Sequence, residues 1–180
     1  MSEKSQLILM AEYNQLMNQR IFKASTHLSN TALFEDKGAF FQSIIITLNH
    51  IMIGDILWLK RFMKHPDDYS SLKQMTEFPQ PQTLNEILFD DIDLFYKERK
   101  RLDKIIVEFC NELKEEDINN NLDYINFKKE KHCKRFGYLI LHVFLHQIHH
   151  RGQVTTLLSQ ENIDFGETDL PEIVPDEYQA

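Results

Sequence analysis

The sequence predicts an all-α protein, a four-helix bundle with a short C-terminal capping segment, and three observations carry that expectation. Glycine and proline number only five each in 180 residues, so long uninterrupted helices are permitted. Four segments show apolar residues recurring at helical spacing. No stretch of any length shows the period-two alternation of a half-buried strand. Four long helices in a chain of this size pack around one core, and residues 1–180 read as a single domain.

The first helix is expected from about Ser5 to Ser29, followed by a connection of medium length, Ser29 to Gly38. The second runs from about Ala39 to Lys64 and stops at His65-Pro66, because proline disfavours helical backbone in the residue before it. A long polar linker with three prolines, His65 to Gln82, follows. The third helix is expected to begin after Thr83, since Thr83-Leu84-Asn85-Glu86 has the spacing of a capping box, and to end near Leu113. Glu115 to Asn126 reads as a polar loop. Tyr124-Ile125-Asn126-Phe127 has extended character, but no pairing partner is evident. The fourth helix is expected from about Lys134 to Gln160. Asp164-Phe165-Gly166 marks a turn, and Thr168-Asp169-Leu170-Pro171 opens the capping segment.

Composition excludes several classes of function. The formal net charge is -8 with histidine neutral, and nucleic-acid affinity rests largely on neutralising phosphates, so no nucleic-acid partner is expected. The one basic cluster, Lys128 to Arg135, contains Glu130 and reads as a solvated loop and helix start. No apolar run reaches the ~20 residues needed to span a membrane. The N-terminus lacks the basic region and cleavage site of a secretory signal. Cys110 and Cys133 form no CxxC motif or disulfide framework, which fits a reducing cytoplasm.

The chemistry concentrates in histidine. Of the eight, His27, His65 and His132 read as surface or helix-end residues. Two others stand out, because His146 and His150 are one turn apart on the fourth helix and project from the same side. At ~100° per residue, Leu139 and Leu157 fall about 20° from His146, and His150 falls about 40° away with Val154 at about 80°. Both imidazoles therefore point into the apolar stripe. Each unsatisfied buried polar group costs on the order of 1–3 kcal/mol, and a shared metal ion removes that penalty by using a nitrogen of each ring. His142, one turn upstream of His146, is two turns from His150, too far to join it at one ion. It reads as a pocket-lining side chain or one supporting a ligand from behind. His149 reads as structural or exposed.

A third ligand must come from another helix, and His50 is the candidate. On the second helix Ile46, Ile53 and Leu57 lie within about 60° of it, so this histidine too faces apolar neighbours. Ser43 and Gly54 share the face and leave room. Alone, His50 also fits a hydrogen-bonded core residue; beside His146 and His150 it completes a three-histidine set. On the first helix Leu7, Ala11, Asn14, Asn18 and Ile21 trace one stripe. Its two asparagines need partners, either buried hydrogen bonds or a polar pocket wall near the metal.

These residues resemble the DinB family, the DinB/YfiT-like metalloenzymes. The likeness spans nearly the whole chain. It includes Ala11-Glu12-Tyr13-Asn14 with Asn18, Gly38-Ala39-Phe40-Phe41, Leu48-Asn49-His50, and Gly54-Asp55 with Trp58. It continues with His146-Gln147-Ile148-His149-His150-Arg151-Gly152-Gln153 and Thr168-Asp169-Leu170-Pro171. Leu16 stands where many relatives carry tryptophan. The resemblance implies a bundle of unusual handedness, a homodimer, and one nickel or zinc ion held by His50, His146 and His150. The fourth helix adds a hint of the dimer: Phe144 and Ile148 lie about 160° from His146, and a helix apolar on two sides is buried or covered by a partner.

Three protein ligands leave an open coordination position, the mark of a catalytic rather than a structural site. Helical zinc proteases place a glutamate after the first of two histidines as general base. Gln147 occupies that position and cannot accept a proton, which disfavours peptide hydrolysis. Characterised relatives include thiol-dependent transferases and isomerases, and metal coordination lowers a thiol's pKa. The expectation is therefore a metal-dependent enzyme using a low-molecular-weight thiol, with His142 or a bound water moving the proton. The alternative is a non-catalytic metal-binding stress-response protein.

Overall fold

The computed structural model describes residues 2–176. Its helical elements, in chain order, are α1 (Glu3–Ser25), α2 (Asn30–Phe34), α3 (Ile44–Phe62), a 3-10 helix at Ser71–Glu77, α4 (Ile92–Glu112) and α5 (Glu115–Asn119). A hairpin of β1 (Asn121–Ile125) and β2 (Lys131–Arg135) follows, then α6 (Phe136–Gln160) and a 3-10 turn at Leu170–Ile173. The four long helices α1, α3, α4 and α6 are the bundle. Helix α1 packs along α4 and α6, and α3 packs along α6 and less extensively along α4. Helices consecutive along the chain, α1 and α3, therefore lie across the bundle from one another, unlike a simple up-down bundle in which sequence neighbours pack side by side.

Three of the long helices begin at side-chain caps. Ser2, Ser43 and Asp91 accept from the backbone N–H groups of Ser5, Ile46 and Leu94, and a cap of this kind contributes roughly 1 kcal/mol. The core unites Leu48, Met52 and Leu59 of α3 with Leu102 and Phe109 of α4 and Phe136, Phe144 and Leu158 of α6. Gly137 opens α6 against α5; a Cβ there would stand 2.5 Å from Ile118 Cγ2 and 3.1 Å from the Ile118 carbonyl oxygen. The two helices approach at a distance only glycine permits.

The structure departs from the sequence reading in four places. The Thr83 capping box does not start a helix. The α4 helix begins nine residues past Thr83, at Ile92, and the Glu86 side chain accepts instead from the Gln82 N–H at 3.1 Å. The cause is tertiary. Asn49 of α3 accepts from the N–H groups of Leu88 and Phe89 (2.9 and 3.0 Å) and donates to the Phe89 carbonyl (2.9 Å). The Leu84 carbonyl is taken by His50. Backbone groups committed to α3 cannot also form intrahelical bonds.

Tyr124 does find a partner strand: residues 121–125 pair antiparallel with 131–135, Tyr124 opposite His132. Much of the basic cluster is therefore strand rather than loop. The linkers after the first, second and third helices contain α2, the 3-10 helix and α5; the 3-10 helix buries Leu72 and Met75, and α5 buries Ile118. His65 is buried, not at the surface, stacked on Phe136 with ring centroids 4.5 Å apart. The capping segment lies across α1, where Tyr13 donates to the Thr168 carbonyl at 2.5 Å and Arg20 pairs with Glu172 at 3.1 Å.

Candidate metal centre

Three imidazoles from two helices meet where α3 faces α6. One ring nitrogen of each of His50, His146 and His150 lies within 4.8 Å of the others. His146 Nε2 and His50 Nε2 are 3.1 Å apart. Nitrogens bound to one zinc at about 2.0–2.1 Å in tetrahedral array stand about 3.4 Å from each other, so the spacing suits a single ion. Among the described residues no cysteine, aspartate or glutamate joins the group.

The rings are held from outside. His50 Nδ1 donates to the Leu84 carbonyl at 2.7 Å, and His150 Nδ1 pairs with Gln153 Oε1 at 2.7 Å. A proton held on Nδ1 leaves Nε2 as a free lone pair, the arrangement that outer partners impose on metal-binding histidines. His146 Nδ1 is buried without a hydrogen-bond partner. Its ring is placed by packing, against Gly54. A Cβ at Gly54 would lie 2.6 Å from His146 Cε1. Phe41 completes the enclosure, stacked on His50 with centroids 4.0 Å apart. It is delivered by a tight turn in which Gln42 takes a φ of 64° and donates to the Ala39 carbonyl at 2.8 Å.

Burial and mutual repulsion keep the cluster neutral. Burial, together with the charges of the neighbouring histidines, pushes the His146 ring down to about 3. Burial lowers His50 as well, against the opposing Leu84 hydrogen bond. It lowers His150 against the hydrogen bond that this ring donates to Gln153. A metal must displace any proton on the nitrogen it binds, and a neutral ring keeps its one proton on the other nitrogen. Zinc affinity is therefore expected to stay flat from pH 8 down to about 6.5, where an ordinary histidine is already half protonated. Below that it weakens with a slope of no more than two protons, because His146 holds its lone pair until far more acid conditions. Competitive zinc titrations between pH 5 and 8 measure this; a three-proton slope beginning near pH 7 would contradict it.

Two clefts reach the cluster. A wider one of about 760 Å³ opens past Phe40, Phe41, His149, His150 and Gln153. A smaller one of about 350 Å³ opens past Trp58, Arg61, His142 and His146. His50 and Leu84 line both. His142 thus lines a pocket beside His146, and its ring is 5.2 Å from that of Trp58. His149 is exposed on the wider cleft.

Asn14 and Asn18 serve the core rather than either cleft. Asn14 accepts from Arg151; Asn18 donates to Asp103 at 2.9 Å and to Gln147 at 3.1 Å. No hydrogen bond joins either to the three histidines, so of the two readings of the asparagine stripe the structure shows buried hydrogen bonds. Gln147 faces this core network, where Arg151 donates to it at 3.0 Å. Arg99 lies between Asp55 and Asp103, with all three side chains at most 3% exposed. Burial raises the Asp55 and Asp103 carboxyls against the pull of Arg99, Asp103 to about 6. Burial lowers Arg151 to about 10, so it remains charged at neutral pH. The residues after the two α6 histidines, Gln147 and Arg151, thus anchor that helix from behind. Sequence periodicity did not reveal this network. The only signal was a set of charged residues (Asp55, Arg99, Asp103, Arg151) at positions that helical spacing turns inward.

Gly54→Ala tests how closely the site is built. The added methyl forces the His146 ring to move, and the expected result is at least a tenfold loss of zinc affinity with unchanged helical circular dichroism. Unchanged affinity would show that the ring's position is not set by α3.

The family model described as "DinB family" matches residues 1–171. The chain is 26% identical over 160 residues to "Protein DinB" of Bacillus subtilis (strain 168), covering 88% of this chain and 87% of that protein. No solved structure matches.

Proposed function

The chain belongs to the DinB family, and from that premise we propose that it binds one divalent metal, nickel or zinc, through His50, His146 and His150 and uses it to join a low-molecular-weight thiol to an electrophile. The observation that carries the reading is the convergence of three neutral imidazoles, two of them oriented from behind, at a place open to clefts on two sides. A divalent ion held by three protein ligands keeps an open position at which it lowers the pKa of a bound thiol or water. The protein supplies the rest. Phe41 and Leu84 keep water from the apolar flank of His50, the clefts admit the two reactants, and His142 takes up the released proton.

Two measurements on untagged protein test the reading in sequence. Elemental analysis after exposure to nickel or zinc is expected to give close to one ion per chain, and less than about a tenth of an equivalent would end the metal assignment. A turnover screen pairing several thiols with several electrophiles, metal-loaded and metal-stripped, then tests catalysis. Full metal uptake with no conjugation by any pair would leave a non-catalytic metal-binding protein.

The same reading extends to a homodimer through the outer face of α6. Tyr138, Leu141, Leu145 and Ile148 recur there at helical spacing and are all exposed, Leu145 by 54%. Phe144, the other residue of the second apolar side, is fully buried within the chain. Leu145→Glu is expected to shift the protein from dimer to monomer in light scattering, with metal content unchanged; a monomeric parent protein would contradict the dimer. Among the described residues no helix is long and apolar enough to cross a membrane.

A further inference from the structure

The far wall of the smaller cleft carries a cation with no counter-charge. Arg61, in the last turn of α3, sits with its guanidinium carbon 4.6 Å from the Trp58 ring centroid and 5.6 Å from that of Tyr124. The other five arginines of the chain have acidic or amide partners: Arg20 with Glu172, Arg99 with Asp55 and Asp103, Arg101 with Glu77, Arg135 with Glu3, and Arg151 with Asn14. The Arg61 side chain has no hydrogen bond or ion pair among the described residues. It is half-buried, and burial pulls its pKa below the ordinary arginine value, opposed only by Tyr124. The one carboxylate lining that cleft, Glu130, is engaged by Asn126 at 2.6 Å and stands 3.8 Å from His132. Lys128 adds a second cation to the same rim.

A partly desolvated charge without an anion is costly unless something completes it. Aromatic faces offset part of that cost and hold the guanidinium plane in place, which preorganises its fork for a planar two-oxygen partner. The other end of the same cleft is formed by His50, Gly54 and His146. Arg61 lies seven residues beyond Gly54, about 10 Å along the helix. The chain as a whole is acidic and repels anions, so a local cation of this kind decides whether an anionic molecule can enter.

We propose that Arg61, seated on Trp58 and Tyr124, binds a carboxylate or phosphate group of a small-molecule substrate whose reactive end, about 10 Å away, reaches the three-histidine cluster. The second half rests on the reading of that cluster as the working centre; the anion subsite stands without it.

Trp58 is the only tryptophan in the chain, so its fluorescence reports occupation of this cleft. Zinc-loaded and metal-free protein are titrated with inorganic phosphate, with succinate, with glutathione, and with glutathione diethyl ester, which keeps the thiol but masks both carboxylates. Calorimetry repeats each titration. At least one of phosphate and succinate is expected to bind saturably in both forms, and whichever binds names the chemistry recognised. Glutathione is expected to bind the zinc-loaded form at least tenfold more tightly than its diester. Arg61→Met, which keeps the apolar stem, is expected to weaken anion binding at least tenfold and to erase the glutathione margin, while Arg61→Lys retains part of both. Added salt is expected to weaken binding more steeply in the parent than in Arg61→Met, where only Lys128 remains. The proposal is overturned if neither phosphate nor succinate binds, if Arg61→Met binds as well as the parent, or if glutathione and its diester bind alike. Anion binding that persists in a protein unable to take up zinc would uphold the subsite and remove the metal reading instead.

Discussion

Replacing His146 by alanine is expected to abolish zinc and nickel binding while leaving the bundle folded. The remaining rings, His50 and His150, sit on different helices and are tied outward to the Leu84 carbonyl and to Gln153. Two ligands so restrained bind a divalent ion far more weakly than three. Losing a partner behind a ligand costs about 10–100-fold in affinity, so losing a ligand itself should cost at least 100-fold. His149→Ala is the control: its ring lies 4.7 Å from that of His150 but outside the cluster, and its affinity should match the parent's. Equilibrium competition with a chromogenic chelator reads both. Retained affinity in His146→Ala would refute the assignment; a loss in His149→Ala equal to that in His146→Ala would make His149 a ligand as well.

The largest stability effect is expected from Arg99→Met. Arg99 stands between Asp55 and Asp103, 2.7 Å from the latter, at 3% exposure. Its removal leaves two buried carboxyls without their cation, and breaking a buried pair from one side costs about 3–5 kcal/mol. For a chain of this length each kcal/mol lowers Tm by roughly 2–4 °C, so a fall on the order of 10 °C is expected. The deficit should also depend on pH. Burial already holds Asp103 at about 6 with Arg99 present, and losing the cation raises it further. A carboxyl whose folded pKa exceeds its unfolded value stabilises the folded state below the unfolded pKa and loses that contribution as pH rises through the folded one. The gap between variant and parent should therefore widen from pH 5 to pH 8. A pH-independent gap would mean that lost packing of the arginine stem, not uncompensated charge, sets the cost.

Part of the fold was legible in the chain and part was not, for a consistent physical reason. The four long helices follow from apolar spacing, a local property. The start of α4 did not, because Asn49 and His50 on α3 capture the backbone of residues 84–89 before it can become helical. The hairpin was not legible because β1 alternates over only five residues and β2, Lys131 to Arg135, has no buried residue, so only pairing with β1 makes it a strand. His65 does lie at the end of α3, but its burial was not legible because Phe136, which stacks on it, is 71 positions away. In the site, the face shared by His146 and His150 is read directly from the helix period. Gln153, the partner of His150, is three residues away on the same helix and lies within reach of the same period. The Leu84 carbonyl, the Phe41 stack and the Tyr124 face over Arg61 belong to other segments, so no local pattern announces them.

The sequence by itself determined the four long helices and the pair of histidines one turn apart on an apolar face, because covalent geometry sets the helical period within a few residues. Only the tertiary structure decided that His50 meets that pair, that Gly54 sets the position of His146, and that a loop carbonyl orients His50. These depend on how α3 lies against α6, and that is decided by packing of the whole core and by the buried Asp55–Arg99–Asp103 and Asn18–Gln147–Arg151 contacts behind it.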